Sequence, residues 1–163
     1  MGERNTECTD LVEVLADRLA FWAVLAEDQQ RPWTVVGGDQ QVPLPLPRGD
    51  LILAVDALLG NVFSHTPVGS AFQVTVSPDA LVVDDAGTGI ADPTAAVQRG
   101  TSGAGSTGLG LDIVQRVAIA AGGRLHIGTG SLGGARVALV LAAGAASDLP
   151  SVPDERRWHA NRT

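Results

Sequence analysis

The alternation of apolar and polar positions divides the chain into helical and extended stretches. Over residues 9–30, Leu11, Leu15, Trp22 and Leu25 recur at three-, four- and seven-residue spacings, filled in by Val14, Leu19 and Phe21, which predicts an amphipathic helix. Thr9 or Asp10 can cap its start, and Arg31-Pro32 ends it. The apolar stripe is wide for a helix with so little chain before it, so it is expected to pack on a partner or a second copy. Trp33-Thr-Val-Val36 reads as a short strand closed by Gly37-Gly38. In Val42-Pro-Leu-Pro-Leu-Pro47 every second residue lacks an N–H, which confines the segment to an edge or a loop. Asp50 is expected to cap a second helix running to about His65, with Leu51, Val55, Leu58 and Val62 as its buried seam and Thr66-Pro67 as its stop.

Residues 71–77 and 81–84 read as neighbouring strands joined by a turn at Pro78-Asp79. Residues 87–108 are rich in glycine and serine and hold no helical period beyond 93–99, so they form a long loop, and long loops in compact domains tend to carry function. A third helix is predicted over 107–121, with Ile113, Val114, Val117 and Ala121 inward and Gly122-Gly123 as its C-cap. Residues 124–129 and 135–141 form a closing hairpin. From 143 onward the chain is alanine, proline, serine and charge without a period, and is expected to be a disordered tail.

Composition narrows the possibilities. The 163 residues suffice for one well-buried domain, no apolar run approaches a membrane span, and no signal peptide opens the chain. The single Cys8 fits a reducing cytoplasm. A formal charge of -7 argues against a general nucleic-acid binder. All 11 basic residues are arginine, so a phosphate loop built on lysine is excluded.

Three segments carry candidate chemistry. Asn61 and His65 lie four apart and share one helix face, where an amide oxygen at the rim of the core can ligate a hard cation such as magnesium. His65, near the helix end, can equally answer the helix dipole. Asp85 ends an apolar strand and is followed by Gly87 and Gly89. A carboxylate there can accept from the exocyclic amine of adenine, with glycines letting the backbone approach the ring; the alternative is a plain turn. Asp84, by strand alternation, points to the other face. Gly105-Ser-Thr-Gly-Leu-Gly-Leu111 leads into the third helix, whose first N–H groups are unpaired and suit phosphate, though close packing of that helix explains the glycines as well. No strand immediately precedes it, so the dinucleotide-binding reading fails.

In order and spacing these segments resemble the N, G1 and G2 boxes of the ATP-binding catalytic domain of sensor histidine kinases, in the superfamily shared with gyrase B, the Hsp90 chaperones and MutL. The resemblance spans residues 33–142, and Gly-Asn-Val-Phe-Ser-His-Thr-Pro and Thr-Gly-Leu-Gly-Leu-Asp-Ile-Val are similar to actinobacterial members. It implies an α/β fold, a Bergerat-type two-layer sandwich with a mixed sheet and about three helices on one face, plus an N-terminal helix. Residues 1–31 would be the end of a dimerisation helix, 32–142 the ATP-binding domain and 143–163 the tail. The implied ligands are ATP and magnesium. Asn61 would ligate the metal, and His65 would lie near the phosphates or ribose. Asp85 would bind adenine N6, with Gly87 and Gly89 lining the base. Thr107, Gly108, Leu109, Gly110 and Leu111 would cradle the phosphates, and Arg99, in a lid over 91–105, would reach one of them. The implied partners are the phosphoacceptor helix of a parent kinase, a response regulator and a second copy in a homodimer.

The chain departs from the family pattern in places. Ala57 stands where Asn or Glu often precedes the metal-binding Asn, and Asp56 lies about 140° around the helix from Asn61. Ser64 replaces the usual lysine, Val97-Gln-Arg-Gly100 the usual phenylalanine of the lid, and Ala135-Arg136 a strand threonine. None of His65, His126 and His159 has the setting of a phosphoacceptor. The expected activity is therefore phosphoryl transfer to a histidine outside this sequence. A serine kinase of the anti-sigma-factor type, argued against by the 9–30 helix, and a non-catalytic nucleotide-binding module are the alternatives.

Overall fold

A computed structural model describes residues 7–89, 108–141 and 157–158. A six-stranded mixed sheet carries the molecule. Its strands are β2 (Trp33–Gly37), β4 (Phe72–Val76), β5 (Ala80–Asp85), β6 (Arg124–Thr129), β7 (Ala135–Val140) and β8 (Arg157–Trp158), in the order β6-β7-β5-β4-β2-β8. Among the described strands of this sheet only β2 and β4 pair in parallel; the other pairs are antiparallel. A small ladder of β1 (Thr9–Asp10) and β3 (Pro43–Leu44) stands apart. The helices are α1 (Leu11–Asp28), α2 (Arg48–His65) and α3 (Gly108–Ala120).

One large core lies between the helices and one sheet face. Leu51, Leu58 and Val62 of α2 meet Leu111, Val114 and Val117 of α3 and the inward strand residues Phe72, Val74, Leu81, Val83, Val137 and Leu139. These strand positions alternate, as a period of two requires. On the opposite face Ala80, Val82, Ala138 and Val140 form a second, smaller buried cluster. The α/β sandwich with a mixed sheet is the fold expected.

The expectation that α1 packs on a partner is corrected. Leu11, Val14, Leu15 and Leu19 sit in the same core as α2, and Trp22 packs on Phe63 with ring centroids 5.1 Å apart. Arg18 Nε (2.7 Å) and Trp22 Nε1 (2.9 Å) both donate to Asp56 Oδ1 on α2. The stripe is wide because α2 fills it within the same sandwich; only Phe21, Val24 and Leu25 stay outward as large apolar groups on α1. The start of α1 is capped as expected: Asp10 Oδ1 accepts from Val12 N at 3.0 Å and also from Val42 N at 2.9 Å, tying the cap to the proline-rich segment. Within that segment Val42, Leu44 and Leu46 are buried.

Helix ends obey local chemistry. At the end of α1, Gln30 N donates to Glu27 O and Arg31 N to Ala26 O, the two bonds of a Schellman motif. The motif needs a left-handed residue, and here it is Gln30 at φ 54 instead of the usual glycine. The end of α3 uses Gly122 at φ 77 in the same way. Asp50, expected as the cap of α2, lies in its first turn; the cap position is Pro47, whose missing N–H is no loss there. Residues 157–158, expected in a disordered tail, pair with β2 through Val35↔Trp158 and Val36↔Arg157, because β2 would otherwise present an open edge.

Candidate functional site

Asp84 and Asp85 end β5 on opposite faces and do different work. Asp84 is 1 % exposed and forms a bidentate ion pair with Arg136, Nε to Oδ1 at 2.7 Å and Nη2 to Oδ2 at 3.0 Å. The charge-assisted bonds hold the Arg136 guanidinium above its ordinary value, against the opposing effect of burial. This pair locks β5 to β7 on the sheet's outer face.

Asp85 faces the helices, directly across from Phe72 on β4. Its Oδ1 accepts from Gly87 N at 3.0 Å and from Ala135 N at 3.1 Å, while its own carbonyl accepts from Gly134 N at 3.0 Å. Two backbone donors on one oxygen fix the carboxylate, and among the described residues nothing donates to Oδ2. The surroundings are narrow. A Cβ on Gly134 would overlap Asp85 Oδ1, and one on Gly87 would come within 2.6 Å of Thr66 Cγ2. Gly89 has φ 80, a left-handed backbone that favours glycine, and a Cβ there would stand 3.7 Å from the Gly134 backbone. The glycines around this carboxylate are required by close approach.

The contact of Gly87 with Thr66 brings the Asp85 turn to the C-terminal end of α2. One turn back is Asn61, half-buried, and at the helix end His65, exposed. Asn61 Oδ1 lies 3.4 Å from where a Cβ on Gly110 would stand, and Ala57 Cβ 3.8 Å from it. Gly110 therefore lets the first turn of α3 close on α2 beside the amide. No acidic side chain occupies that first turn, so its leading N–H groups face no competing carboxylate of their own helix. Asn61 and Gly110 meet at one flank of α2, and Asp85 and Gly87 meet its end.

The other expected positions fall as follows. Gly108 and Leu109 belong to the first turn of α3, and Leu111 is buried in the core, so the backbone of that turn, not the Leu111 side chain, is what it can offer a ligand. Arg99 and Thr107 lie outside the described residues. Asp56 is turned to α1 by Arg18 and Trp22, which removes it as a metal ligand on the Asn61 face. Among the described residues no three His, Cys, Asp or Glu side chains gather as a metal cluster, and no described helix is long and apolar enough to cross a membrane.

Sequence reasoning missed Gly134, Ala135 and Arg31. The first two anchor Asp85 from 50 residues away, and only the Gly133-Gly134 pair before β7 hinted at a close approach. Arg31, read as the end of α1, is 4 % exposed and sits beneath the end of α2.

Comparisons agree with this architecture. The chain is similar in fold to the mycobacterial sensor histidine kinase MprB (24% identity, TM-score 0.66, covering 83% of this chain and 97% of that one). It is also similar to the ATP binding domain of PrrB from Mycobacterium tuberculosis (24%, TM-score 0.63, 83% and 95%). A third similar structure is the cytoplasmic segment of the histidine kinase QseC (22%, TM-score 0.62, 85% and 78%). No curated protein sequence matches the chain. A family model does match, over residues 48–144, and that stretch runs from the first turn of α2 past the end of β7, enclosing Asn61, Asp85 and Gly110 alike: the chain belongs to the histidine kinase-, DNA gyrase B- and HSP90-like ATPases.

Proposed function

We propose that this chain is the Mg-ATP-binding catalytic domain of a two-component sensor histidine kinase, holding the γ-phosphate for transfer to a histidine outside this sequence. The observation that carries the reading is the anchored Asp85: one oxygen is held by Gly87 and Ala135, and among the described residues the other has no donor, which suits a ligand amine. An adenine offers its N6 amine there, and guanine, with a carbonyl at that position, does not. Asn61 is the residue to hold magnesium, since it presents a neutral oxygen donor beside the start of α3. Bound magnesium supplies neutralisation of phosphate charge. The chain's own part is positioning: the α3 backbone N–H groups orient the phosphates, and Asp85 sets the distance from the base.

Ala57 bears on the reaction type. It stands one turn before Asn61 on the side facing Gly110, and its methyl group cannot activate water. Nor can it activate an acceptor nucleophile, so Ala57 is what favours the alternative, a non-catalytic nucleotide-binding module. His65 is exposed at the helix end and flanks the cleft; His126 lies on β6. Because α1 packs inside the sandwich, it does not separate a histidine kinase from a serine kinase of the anti-sigma-factor type. The likeness to three sensor-kinase domains favours the former. In the parent protein the partners would be a phosphoacceptor helix, a second copy and a response regulator, in the cytoplasm. The test is a phosphotransfer assay with labelled ATP and two supplied acceptors, a dimerisation domain carrying an acceptor histidine and an antagonist protein carrying serine. Label on the histidine supports the reading; label on the serine, or binding without label on either, overturns it.

A further inference from the structure

Arg31 is an arginine where an arginine is costly. Burying a guanidinium requires that its donors be met, and here they are. Nε donates to Gln29 Oε1 at 2.7 Å, Nη1 to Thr66 Oγ1 at 2.6 Å and to Ser70 O at 3.4 Å, and Nη2 to Thr66 O at 3.1 Å. The guanidinium carbon lies 4.7 Å from the centroid of the Phe63 ring. The chain accepts a strained residue to put it there, since the left-handed Gln30 is what folds Arg31 back under α2. Burial lowers the guanidinium pKa, and the nearby Asp85 carboxylate opposes that shift, so the two charges sense each other.

We propose that Arg31 is a positioning residue that sets the purine preference of the nucleotide site through Asp85. The inference rests on the reading of Asp85 as the adenine acceptor. The path is short and physical. Arg31 clamps both the hydroxyl and the carbonyl of Thr66; Thr66 packs its methyl against Gly87; and the Gly87 N–H holds Asp85 Oδ1. The clamp also fixes the negative end of the α2 dipole, which would otherwise face Asp85 unbalanced. A neutral residue could join these elements by packing alone, but it would remove the cation that senses the carboxylate.

The experiment measures dissociation constants for ATP and GTP on the full chain, its Arg31→Met and Arg31→Lys variants, and Thr66→Val, each checked by circular dichroism. Loss of the clamp should lower the ATP-over-GTP preference about tenfold in Arg31→Met, with GTP affinity within about twofold of the parent. Arg31→Lys, which keeps charge and loses the fork, should recover part of the preference. Thr66→Val should lower it in the same direction by a smaller factor, and it stands as the test if Arg31→Met does not fold. Parallel weakening of both nucleotides, or an unchanged ratio in a folded variant, would mean that Arg31 only braces the fold and overturns the inference while leaving the Asp85 reading intact. Absence of any ATP preference in the parent chain overturns both.

Discussion

Replacing Asp85 by asparagine probes the site with little disturbance of shape. Asparagine can keep Oδ1 on the Gly87 and Ala135 amides at 3.0 and 3.1 Å. Those bonds lose their charge assistance, which is worth about 1 kcal/mol of stability. At the other branch the change is larger. On the proposed reading, the acceptor Oδ2 would become an NH2 group facing the adenine amine donor to donor. Losing a charged hydrogen bond costs about 1.5–3 kcal/mol, and stranding a donor costs about 1–3 kcal/mol more. Taking the middle of those ranges as partly overlapping gives about 3 kcal/mol, or roughly a 150-fold rise in the dissociation constant for ATP. Guanine presents O6 at the same place and gains an acceptor–donor match, so GTP should bind no worse. Isothermal titration of both nucleotides on the parent and variant, with a thermal melt of each, measures the effect. A fall of ATP to the level of GTP, with the melt lowered by only a few degrees, is expected. Equal losses for ATP and GTP with an unchanged melt would refute the assignment of Asp85 as the purine reader.

Other parts of the structure make further expectations. Asn61→Ala should remove most of the magnesium enhancement of ATP binding, by about tenfold, while leaving metal-free binding and the melt nearly unchanged, since Asn61 is only half-buried; this is read by titration with and without magnesium. Asp84→Ala strands the Arg136 guanidinium between β5 and β7, and urea unfolding should show a loss of about 3–5 kcal/mol. Gln30→Gly removes the cost of a left-handed side-chain residue in the α1 Schellman motif and should raise stability by about 0.5–1 kcal/mol in the same assay.

How far the sequence reveals this molecule depends on whether the determining contacts are local. The seam of α2 and the glycine cap of α3 follow from spacing and turn chemistry, and Leu51, Val55, Leu58 and Val62 are all buried where expected. The Asp84–Asp85 division follows from strand alternation alone. The partner of α1 does not, because a stripe of Leu11, Leu15 and Trp22 states that something must cover it and not what. Whether a helix packs on its own domain or on another depends on its register with α2, which Arg18, Trp22 and Asp56 fix across more than 30 residues of chain. The site divides in the same way. Asn61, Asp85 and the glycines announce themselves by residue type, whereas Ala135 and Gly134 act through backbone groups that any residue has. Arg31 looks like helix punctuation until the Schellman turn at Gln30 folds it inward.

One flank of α2, its C-terminal end and the end of β5 are held here to serve a single small molecule. The direct measurement is an ATP titration of the isotopically labelled chain in magnesium, following the backbone amides of Gly87, Gly110 and Ala135 and the side-chain amide of Asn61 by nuclear magnetic resonance. All four signals should move along one saturation curve with a common dissociation constant, and GTP should leave Gly87 and Ala135 almost still. Signals that respond at unrelated concentrations, or stay fixed up to millimolar ATP, would contradict it.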